Sequence, residues 1–479
     1  MKTMRNLTMM TDLYQLTMMN GYLHHGMQNS RACFDLFYRR QGEMTAYALA
    51  AGLEQAIEYI RDLHFSDEDI AYLRSVGCFD EEFLTYLRDL RFTGDIWAVP
   101  EGTVVFPMEP ILRVTAPIIE AQLVETTLLN IIGHQTLIAT KAARVVHAAG
   151  DGAVLEFGLR RAQGPDAGIY GARAAMIGGC RSTSNVLTGE MFGAPVSGTH
   201  AHSWVMSFPD ELSAFRAYAE VFPANCLLLV DTYDTLGSGV PNAITVFREL
   251  RAKGYEPVGI RLDSGDLAFL SRQARKMLDE AGFPNAKIAA SSDLDEEVIW
   301  DLKAQGAAID VWGVGTRLIT SKDNPALGGV YKLCAHEENG VFEPRIKISE
   351  NPAKVTNPGI KQVFRFYDNE TGKALADLIA LADEDFSSTE PLTIFHPEHT
   401  WKRTTLEHYH ARPLLVPVFE GGRQVYESPK LSEIASYAQS ELGTFWEEYK
   451  RLNNPQRYKV DLSQRLYDLK TGLLAQRAR

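Results

Sequence analysis

The stretch SGTHAHSW at residues 197–204 places two histidines one residue apart, among hydroxyl side chains and ahead of a tryptophan. If this segment is a β-strand, His200 and His202 point to the same face, as two metal ligands would. A catalytic zinc ion needs a third ligand, and the sequence contains no H-x-x-x-H motif. The alternatives are a structural imidazole in the core, or an imidazole that Thr199 and Ser203 orient as a nucleophile or base. The surrounding hydroxyls favour the last interpretation.

Two acidic segments offer further chemistry. RLDSGD at 261–266 places a basic residue and two acids within six positions. Arg261 could bind a carboxylate or phosphate through two hydrogen bonds, while Asp263 and Asp266 could face ribose hydroxyls or a cation. The alternative is a surface ion-pair network. DTYDT at 231–235 is less specific: its two aspartates are not adjacent, as they are in the common sugar-diphosphate signature, and helix capping explains them equally well.

Apolar segments that predict β-strands precede most of these motifs. The predicted strands cover residues 153–158, 226–231, 257–263, 287–292 and 310–315. The last four recur about every thirty residues, the length of a βαβ unit, and amphipathic segments ending at glycine separate them. With VSGTHAHSWV as another strand, about six repeats are visible where a complete barrel has eight. The pattern therefore predicts a parallel sheet of an incomplete or irregular barrel.

The motifs follow the predicted strands, so they meet at one edge of the sheet. This edge also receives EFGLRR at 156–161, SSDLDE at 291–296 and GVGT at 313–316. The glycines and hydroxyl of GVGT could hold a phosphate, although short glycine-rich turns are common. We therefore expect an active site at this edge.

The rest of the chain predicts scaffold. Residues 45–90 have helical spacing with Ser66 as an N-cap, 95–117 read as short strands, and a long helix follows up to Gly150. We predict an N-terminal part over 1–148, a region with the active site over 149–344, and a C-terminal region over 345–479 that packs back on the N-terminal part.

Composition excludes several classes of protein. The 479 residues carry a net charge of −13, which argues against a nucleic-acid or anionic membrane surface. The five cysteines form no C-x-x-C pair, so neither a disulfide framework nor a zinc knuckle is expected. The N-terminus does not resemble a signal peptide, and no apolar stretch is long enough to span a bilayer. We expect a cytoplasmic protein.

The motifs together resemble nicotinate phosphoribosyltransferases. Ten segments of this sequence occur in the same order as in that family: TDLYQLTMMNGY, FDLFYRR, LIATKAARVV, EFGLRRAQGPD, GTHAHSW, DTYDT, GIRLDSGDL, SSDLDE, VWGVGT and LGGVYKL. The resemblance covers residues from about 8 to at least 360 and is weaker over the last hundred.

The resemblance implies that nicotinate and phosphoribosyl pyrophosphate give nicotinate mononucleotide and pyrophosphate in NAD biosynthesis, coupled to hydrolysis of ATP. It implies a truncated, irregular α/β barrel beside an α/β sandwich domain built from both ends of the chain, and a homodimer with shared active sites. Magnesium would be held mainly through substrate phosphates, with no dedicated metal residues. The histidine that closes G-T-x-x-H, His202, corresponds to the family's phosphohistidine, whereas His200 occupies a variable position.

Other roles follow from the resemblance by motif. Tyr14 and Phe157 correspond to aromatic faces that sandwich the pyridine ring. Thr199 and Arg261 correspond to nicotinate contacts, and Asp263 to a catalytic carboxylate near the ribose. Arg160, Gly315 and Thr316 correspond to residues that contact phosphoribosyl pyrophosphate.

One position bears on the choice between acid and amide substrates. Related enzymes that use nicotinamide have an aspartate where this sequence has Ser184, so loss of that acceptor favours nicotinate. Quinolinate would need further basic residues for its second carboxylate. A nicotinamide enzyme, a non-catalytic sugar-phosphate sensor on the same scaffold, and a metal-dependent barrel enzyme using His200 and His202 remain the alternatives.

Overall fold

The structure, a computed structural model, describes residues 6–39, 46–351, 354–387 and 391–477. Arg40, the last residue of the FDLFYRR motif, lies outside these ranges. The chain forms two compact units: unit 1 comprises Met1–Leu137 and Ala326–Arg479, and unit 2 comprises Ile138–Pro325. The fold is mixed α/β.

The N-terminal part of unit 1 confirms the predicted helices and short strands. Ser66 caps α3 by accepting from Asp69 N (3.1 Å), and Asp69 returns the bond in a capping box. The predicted long helix is two helices that meet at Val124. The elements are α1 (Leu13–His24), β1 (Arg31–Tyr38), β2 (Ala48–Leu49), α2 (Leu53–Arg61), α3 (Asp67–Val76), α4 (Glu81–Asp89), β3 (Asp95–Ala98), β4 (Val104–Val105), β5 (Leu112–Pro117), α5 (Ile118–Leu123) and α6 (Glu125–Ala149).

Unit 2 alternates strands with helices. Single 3-10 or π turns cover Leu159–Arg161, Pro223–Asn225 and Thr235–Gly239. The other elements are β6 (Ala153–Glu156), α7 (Pro165–Ile177), β7 (Ser182–Thr183), α8 (Val186–Phe192), α9 (His202–Met206), α10 (Glu211–Val221), β8 (Leu227–Leu229), α11 (Val240–Ala252), β9 (Gly259–Leu262), α12 (Leu267–Glu280), β10 (Lys287–Ser292), α13 (Glu296–Ala304), β11 (Val311–Val314) and α14 (Thr316–Ile319).

The strands of unit 2 form a parallel six-stranded sheet in the order β7-β6-β11-β10-β9-β8. The five strands predicted from apolar segments are present, most of them shorter than predicted. Val154, Leu228, Ile260, Ile288 and Trp312 are all buried, one from each of these strands. Helices cover such a sheet, and burial on both faces explains why the strands read as continuous apolar runs.

The predicted strand VSGTHAHSWV is wrong. Val196 forms a single bridge to Thr183, the chain then continues as a loop, and His202 begins the short helix α9. The apolar residues that suggested a strand pack against α10 instead: Val205 is fully buried and Trp204 Nε1 donates to Ala214 O (3.0 Å). The sixth strand of the sheet is the two-residue β7.

Both boundaries predicted for the central region differ from those of unit 2. The second half of α6 belongs to unit 2, because Lys141 and Arg144 form buried ion pairs with Glu296 (2.6 and 3.1 Å). At the other end, residues 326–344 belong to unit 1 rather than to the region predicted to end at 344. They include a strand that pairs with β1.

The C-terminal segment completes unit 1. Its elements are β12 (Gly329–Glu338), β13 (Val341–Pro344), β14 (Lys361–Asp368), β15 (Ala374–Leu381), β16 (Leu392–Phe395), β17 (Arg403–Leu406), β18 (Tyr409–Pro413), β19 (Val416–Glu420), β20 (Arg423–Gln424), α15 (Leu431–Gly443), α16 (Glu447–Lys450), β21 (Val460–Leu462) and α17 (Gln464–Arg477). A seven-stranded sheet, β13-β12-β1-β5-β3-β19-β20, joins strands from both ends of the chain. In the part of the chain described, no helix has the length and apolar character needed to cross a bilayer.

Candidate active site

Loops at the carboxyl ends of the unit 2 strands bring most of the predicted site residues together. Phe157 follows β6, Asp263 follows β9, and Gly315 follows β11. Eight of the nine predicted residues belong to unit 2, and Tyr14 belongs to unit 1. The edge of the parallel sheet therefore carries the candidate site, as expected for this kind of sheet.

Arg261 holds the loop that precedes α9. Its Nη1 donates to Thr199 Oγ1 (2.6 Å) and its Nη2 donates to His200 O (3.1 Å). Its Nε is buried and has no hydrogen-bond partner among the described residues. Burial lowers the pKa of the guanidinium below its usual range, yet Arg261 still remains charged at neutral pH. Arg261 as a whole is only partly buried, and these bonds use two of its five N–H groups, so the guanidinium can still bind an anion.

Phe157 and the GVGT segment are in contact. An added Cβ at Gly313 would lie 2.8 Å from the Phe157 ring, and one at Gly315 would lie 3.1 Å from Phe157 O. Glycine at 313 therefore lets the ring lie against β11. Two exposed residues follow in sequence: Arg160 in the turn Leu159–Arg161 and Thr316 at the start of α14. The positive charge of Arg160 contributes to lowering the pKa of Arg261.

His202 contacts a hydroxyl and faces a carboxylate. Its Nδ1 is 3.1 Å from Thr232 Oγ1, and its Nε2 is 3.8 Å from Asp263 Oδ2. The side chains of His202 and Asp263 are 39% and 40% exposed, so a substrate can reach both. The sequence predicted that Thr199 and Ser203 orient the imidazole. The hydroxyl that contacts it is instead that of Thr232, which follows β8, because His202 begins α9 and does not lie on a strand.

Asp263 is positioned by its neighbours at the sheet edge. Its backbone N donates to Asp231 Oδ2 (2.7 Å), which also accepts from Ser264 Oγ (2.7 Å). Ser291 Oγ donates to Asp263 Oδ1. Asp231 and Ser291 thus fix the loop after β9, and Asp263 Oδ2 remains directed toward His202.

His200 is a structural imidazole and does not share a face with His202. Leu229 N donates to its Nε2 (3.2 Å), which must therefore be unprotonated, and the ring packs 4.7 Å from that of Tyr218. Burial lowers the pKa of His200 to about 4. The hypothesis of a metal-binding pair at His200 and His202 fails for this reason: the Nε2 of His200 is already occupied by a backbone donor.

Two of the aspartates considered as site residues cap helices. Asp266 Oδ1 accepts from Phe269 N (3.0 Å) at the start of α12, so it does not join Asp263 in the site as the RLDSGD pattern suggested. Asp234 Oδ1 accepts from Gly237 N (2.9 Å). Of the two acids in DTYDT, Asp231 supports the site and Asp234 is a cap.

Tyr14 lies on α1 in unit 1. Its ring is 48% exposed, and its hydroxyl accepts from Gln15 Nε2 (2.8 Å), which also donates to Glu125 Oε2 (3.0 Å). Burial of part of the ring and the nearby Glu125 raise the pKa of the Tyr14 hydroxyl. The exposed aromatic face is available for stacking.

One group in the described residues has the composition of a metal site. Cys33, Asp35 and Cys334 are buried in unit 1, with ligand atoms within 4.8 Å of one another. Lys361 Nζ lies 2.8 Å from Asp35 Oδ2, and the Cys334 thiol donates to Cys33 O (3.2 Å). The ammonium already neutralises the carboxylate, so this group is a buried ion pair beside two thiols rather than a cation site.

Comparison with known proteins identifies the family. Residues 9–133 match the nicotinate phosphoribosyltransferase (NAPRTase) N-terminal domain, and residues 360–470 match the nicotinate phosphoribosyltransferase C-terminal domain. The chain is 51% identical over 476 residues to a nicotinate phosphoribosyltransferase of Bacillus subtilis (strain 168), covering 98% of this chain and 97% of the relative. The chain belongs to the nicotinate phosphoribosyltransferase family. A relative of the same name in Dictyostelium discoideum is 39% identical, over 96% of this chain and 87% of its own.

A solved structure agrees with the family assignment. The crystal structure of human nicotinic acid phosphoribosyltransferase matches with a TM-score of 0.84 and 34% identity, covering 97% of this chain and 99% of that one. The chain therefore shares its mixed α/β fold with the human protein over nearly its whole length.

Two residues of the candidate site were missed by the sequence reasoning: Thr232 and Ser291. Thr232 lies just after β8, and Ser291 lies at the end of β10. Both could have been predicted from their position, because residues at the carboxyl end of a parallel strand face the site. Thr232 contacts His202, 30 residues away in sequence, and Ser291 contacts Asp263, 28 residues away.

Proposed function

We propose that this enzyme joins nicotinate to phosphoribosyl pyrophosphate, releasing pyrophosphate and forming nicotinate mononucleotide in NAD biosynthesis. The pyridine nitrogen forms a bond to C1 of the ribose as the bond from C1 to the pyrophosphate oxygen breaks. No proton transfer to the ring is needed, because the nitrogen lone pair becomes the new bond. Positioning and charge stabilisation are therefore the main tasks of the protein.

Arg261 is the observation that carries this proposal. A partly buried guanidinium that Thr199 and His200 hold in place, and that uses two of its five N–H groups to do so, can bind the nicotinate carboxylate. Phe157 supplies one aromatic face for the pyridine ring, and Thr199 borders the same pocket. Arg160, Gly315 and Thr316 then contact the phosphates of phosphoribosyl pyrophosphate.

Asp263 acts at the ribose. Positive charge develops on the sugar as pyrophosphate departs, and a carboxylate fixed by neighbouring donors stabilises that charge without reorganisation. Two hydrogen bonds support this role: the Asp263 backbone N donates to Asp231, and Ser291 Oγ donates to the Asp263 carboxylate.

His202 couples the reaction to ATP. The exposed imidazole receives the γ-phosphoryl group of ATP, and ADP leaves; hydrolysis of the phosphohistidine later returns free histidine and phosphate. Thr232 and Asp263 support this role, since they face the two ring nitrogens. Magnesium would be held mainly by the substrate phosphates and would neutralise their charge. The hard carboxylate oxygens of Asp231 and Asp263 are of the kind this ion prefers, and Asp231 Oδ1 has no hydrogen-bond partner within the described ranges.

The larger arrangement is also part of the proposal. The six-stranded sheet of unit 2 forms a truncated, irregular barrel, and unit 1 forms the α/β sandwich. The enzyme is a homodimer in which Tyr14 of one subunit completes the active site of the other. We place it in the cytoplasm, where its five free cysteines remain reduced.

The substrate is the acid rather than the amide. Ser184 follows β7, and its backbone N donates to Glu156 O at the end of β6 (3.0 Å), next to Phe157. A serine here offers no carboxylate to accept the amide hydrogens of nicotinamide, and it does not repel the nicotinate carboxylate.

A product assay tests the proposal. The purified enzyme is incubated with phosphoribosyl pyrophosphate, magnesium and either nicotinate, nicotinamide or quinolinate, each with and without ATP. We expect nicotinate mononucleotide from nicotinate, with turnover raised by ATP. If nicotinamide gave product and nicotinate did not, the substrate assignment would be contradicted. Binding of nicotinate and phosphoribosyl pyrophosphate without any product would instead support the sugar-phosphate sensor.

A further inference from the structure

Glu156 is a buried carboxylate for which the reaction itself has no use. It is the last residue of β6 and is fully buried, between a strand on either side. One oxygen, Oε1, accepts from Gly158 N, and the other, Oε2, accepts from Thr183 Oγ1 (2.5 Å). Burying a carboxylate with two neutral donors is costly, so an apolar residue would serve better if packing were the only requirement.

The two donors belong to different loops of the site. Gly158 follows Phe157, whose ring lies against Gly313. Gly158 N can reach the carboxylate because residue 158 has no side chain: an added Cβ would lie 2.8 Å from Glu156 Oε1 and 2.5 Å from Ile319 Cβ. The loop that carries Phe157 and Arg160 therefore begins with a bond to Glu156.

Thr183 extends the connection to two further loops. Its Oγ1 accepts from Asn185 N (3.0 Å), next to Ser184. Its backbone N donates to Pro195 O (3.0 Å), and its O accepts from Ser197 N (3.0 Å), at the start of the loop that carries Thr199 and leads to His202. Through Thr183, Glu156 is therefore joined to the segment containing Ser184 and to the histidine loop.

We infer that Glu156 is a positioning residue of the substrate site, which fixes the spacing of the loops after β6, after β7 and before α9 through Gly158 and Thr183. The inference rests on the proposed function, because these loops carry the proposed contacts to nicotinate. A fully satisfied buried polar network restricts the arrangement of the groups it joins more than apolar packing does. Burial raises the pKa of this carboxyl, in agreement with its position in the core.

Glu156→Gln changes this connection with little change of volume. The amide has one accepting oxygen and one donating nitrogen, so one of the two donors loses its acceptor. We expect the KM for nicotinate to rise by about tenfold or more, with kcat falling less than KM rises, because a loop that spends time displaced weakens binding first. The melting temperature of each variant is measured as well, so that a rise in KM can be distinguished from a loss of folded protein.

Thr183 provides the matched pair of variants. Thr183→Val has nearly the same shape and no hydroxyl, so it should raise the KM for nicotinate as Glu156→Gln does, whereas Thr183→Ser keeps the hydroxyl and should restore a value near that of the wild type. Gly158 N can only donate, so in Glu156→Gln it keeps the amide oxygen, and the amide nitrogen faces Thr183. Both single variants therefore change the same contact, and the double variant Glu156→Gln/Thr183→Val should be no worse than the more impaired single variant. If Glu156→Gln does not fold, the Thr183 pair decides the question.

Several results would overturn the inference. They are unchanged KM values in Glu156→Gln or Thr183→Val, equal impairment by Thr183→Ser and Thr183→Val, additive losses in the double variant, or losses of activity that only follow the fraction of unfolded protein. The wild-type enzyme is assayed first. If it forms no nicotinate mononucleotide, the proposed function fails, and calorimetric binding of nicotinate to the same variants then tests Glu156 independently.

Discussion

At the level of single residues, the observed task of Arg261, which is to hold the loop before α9, and its proposed task, which is to bind nicotinate, can be separated by measurement. We predict that Arg261→Ala weakens the binding of nicotinate much more than that of phosphoribosyl pyrophosphate. Removing a charge-assisted contact to the carboxylate costs on the order of 1.5–3 kcal/mol, or about ten- to a hundredfold in affinity. Calorimetric titration of the two ligands measures the difference.

Arg261→Lys is the control for charge. It keeps a positive group but loses the planar fork that holds Thr199 and His200, so its affinity for nicotinate should lie between those of the wild type and the alanine variant. Equal weakening of both ligands by Arg261→Ala would mean that the residue acts only on the loop and does not contact nicotinate.

His202 should energise the reaction without contacting the bond that breaks. We predict that His202→Ala abolishes ATP hydrolysis and phosphoprotein formation but retains slow phosphoribosyl transfer that does not depend on ATP. A phosphate on this imidazole would add negative charge and acceptor oxygens beside Thr232 and Asp263, which can favour one of two states of the site. Shifting such an equilibrium from 1:99 to 99:1 takes about 5.5 kcal/mol.

The measurement is acid-labile, base-stable phosphate on the protein, together with turnover with and without ATP. His200→Gln serves as the control, because the amide oxygen can still accept from Leu229 N and His202 is unchanged. Phosphate that persists on the His202 variant, or that disappears from the His200 variant alone, would assign the phosphorylated residue differently.

At the level of elements, the loop before α9 is attached to β8 by a neutral histidine, which makes the stability of unit 2 depend on pH. An unfolded histidine takes up a proton near pH 6.5, whereas folded His200 remains neutral down to about pH 4. Between these values the unfolded state binds more protons, so stability falls as the pH falls, and below pH 4 this contribution no longer changes. The contribution of His200 to the free energy of unfolding changes by at most about 3 kcal/mol over this range.

We therefore predict that His200→Gln loses less stability than the wild type when the pH falls from 7 to 4. Urea unfolding at several pH values gives the comparison, and the carboxyl groups that titrate in the same range cancel between the two proteins. Parallel pH profiles would show that His200 is protonated equally in the folded and unfolded states.

The same loop shows what could be predicted from the sequence and what could not. The strand over 287–292 was predicted with the observed bounds, because burial on both faces leaves a continuous run of small and apolar residues. The helices α11, α12 and α13 were recognised, because burial on one face leaves a periodic apolar pattern. The segment around Trp204 is also short and apolar, but its contacts are with α10, which the local sequence does not specify. Tertiary packing decided that element.

Site residues follow the same division. Arg261 and Asp263 were selected because their residue types and their place at the end of a strand both indicated chemistry. Asp266 has the same residue type but begins α12 as a cap, and Thr232 contacts His202 from a loop 30 residues further along the chain. Contacts between loops depend on how the strands are ordered in the sheet, which the sequence pattern does not reveal.

At the level of the whole molecule, the proposed dimer makes a prediction about mixed subunits. Tyr14 belongs to unit 1 and Arg261 to unit 2. If each active site combines Arg261 of one subunit with Tyr14 of the other, a heterodimer of Tyr14→Ala and Arg261→Ala subunits has one intact site and one site with both defects. Random exchange of equal amounts should then restore about a quarter of the wild-type activity.

If both residues served the same subunit's site, every site in the heterodimer would carry one defect, and mixing would restore nothing. Subunit exchange is verified with differently tagged chains before the activity is measured. A mixture of the Tyr14→Ala/Arg261→Ala double variant with either single variant is the control, since no combination of those subunits yields an intact site. Restored activity only in the mixture of single variants would establish that Tyr14 acts across the subunit interface.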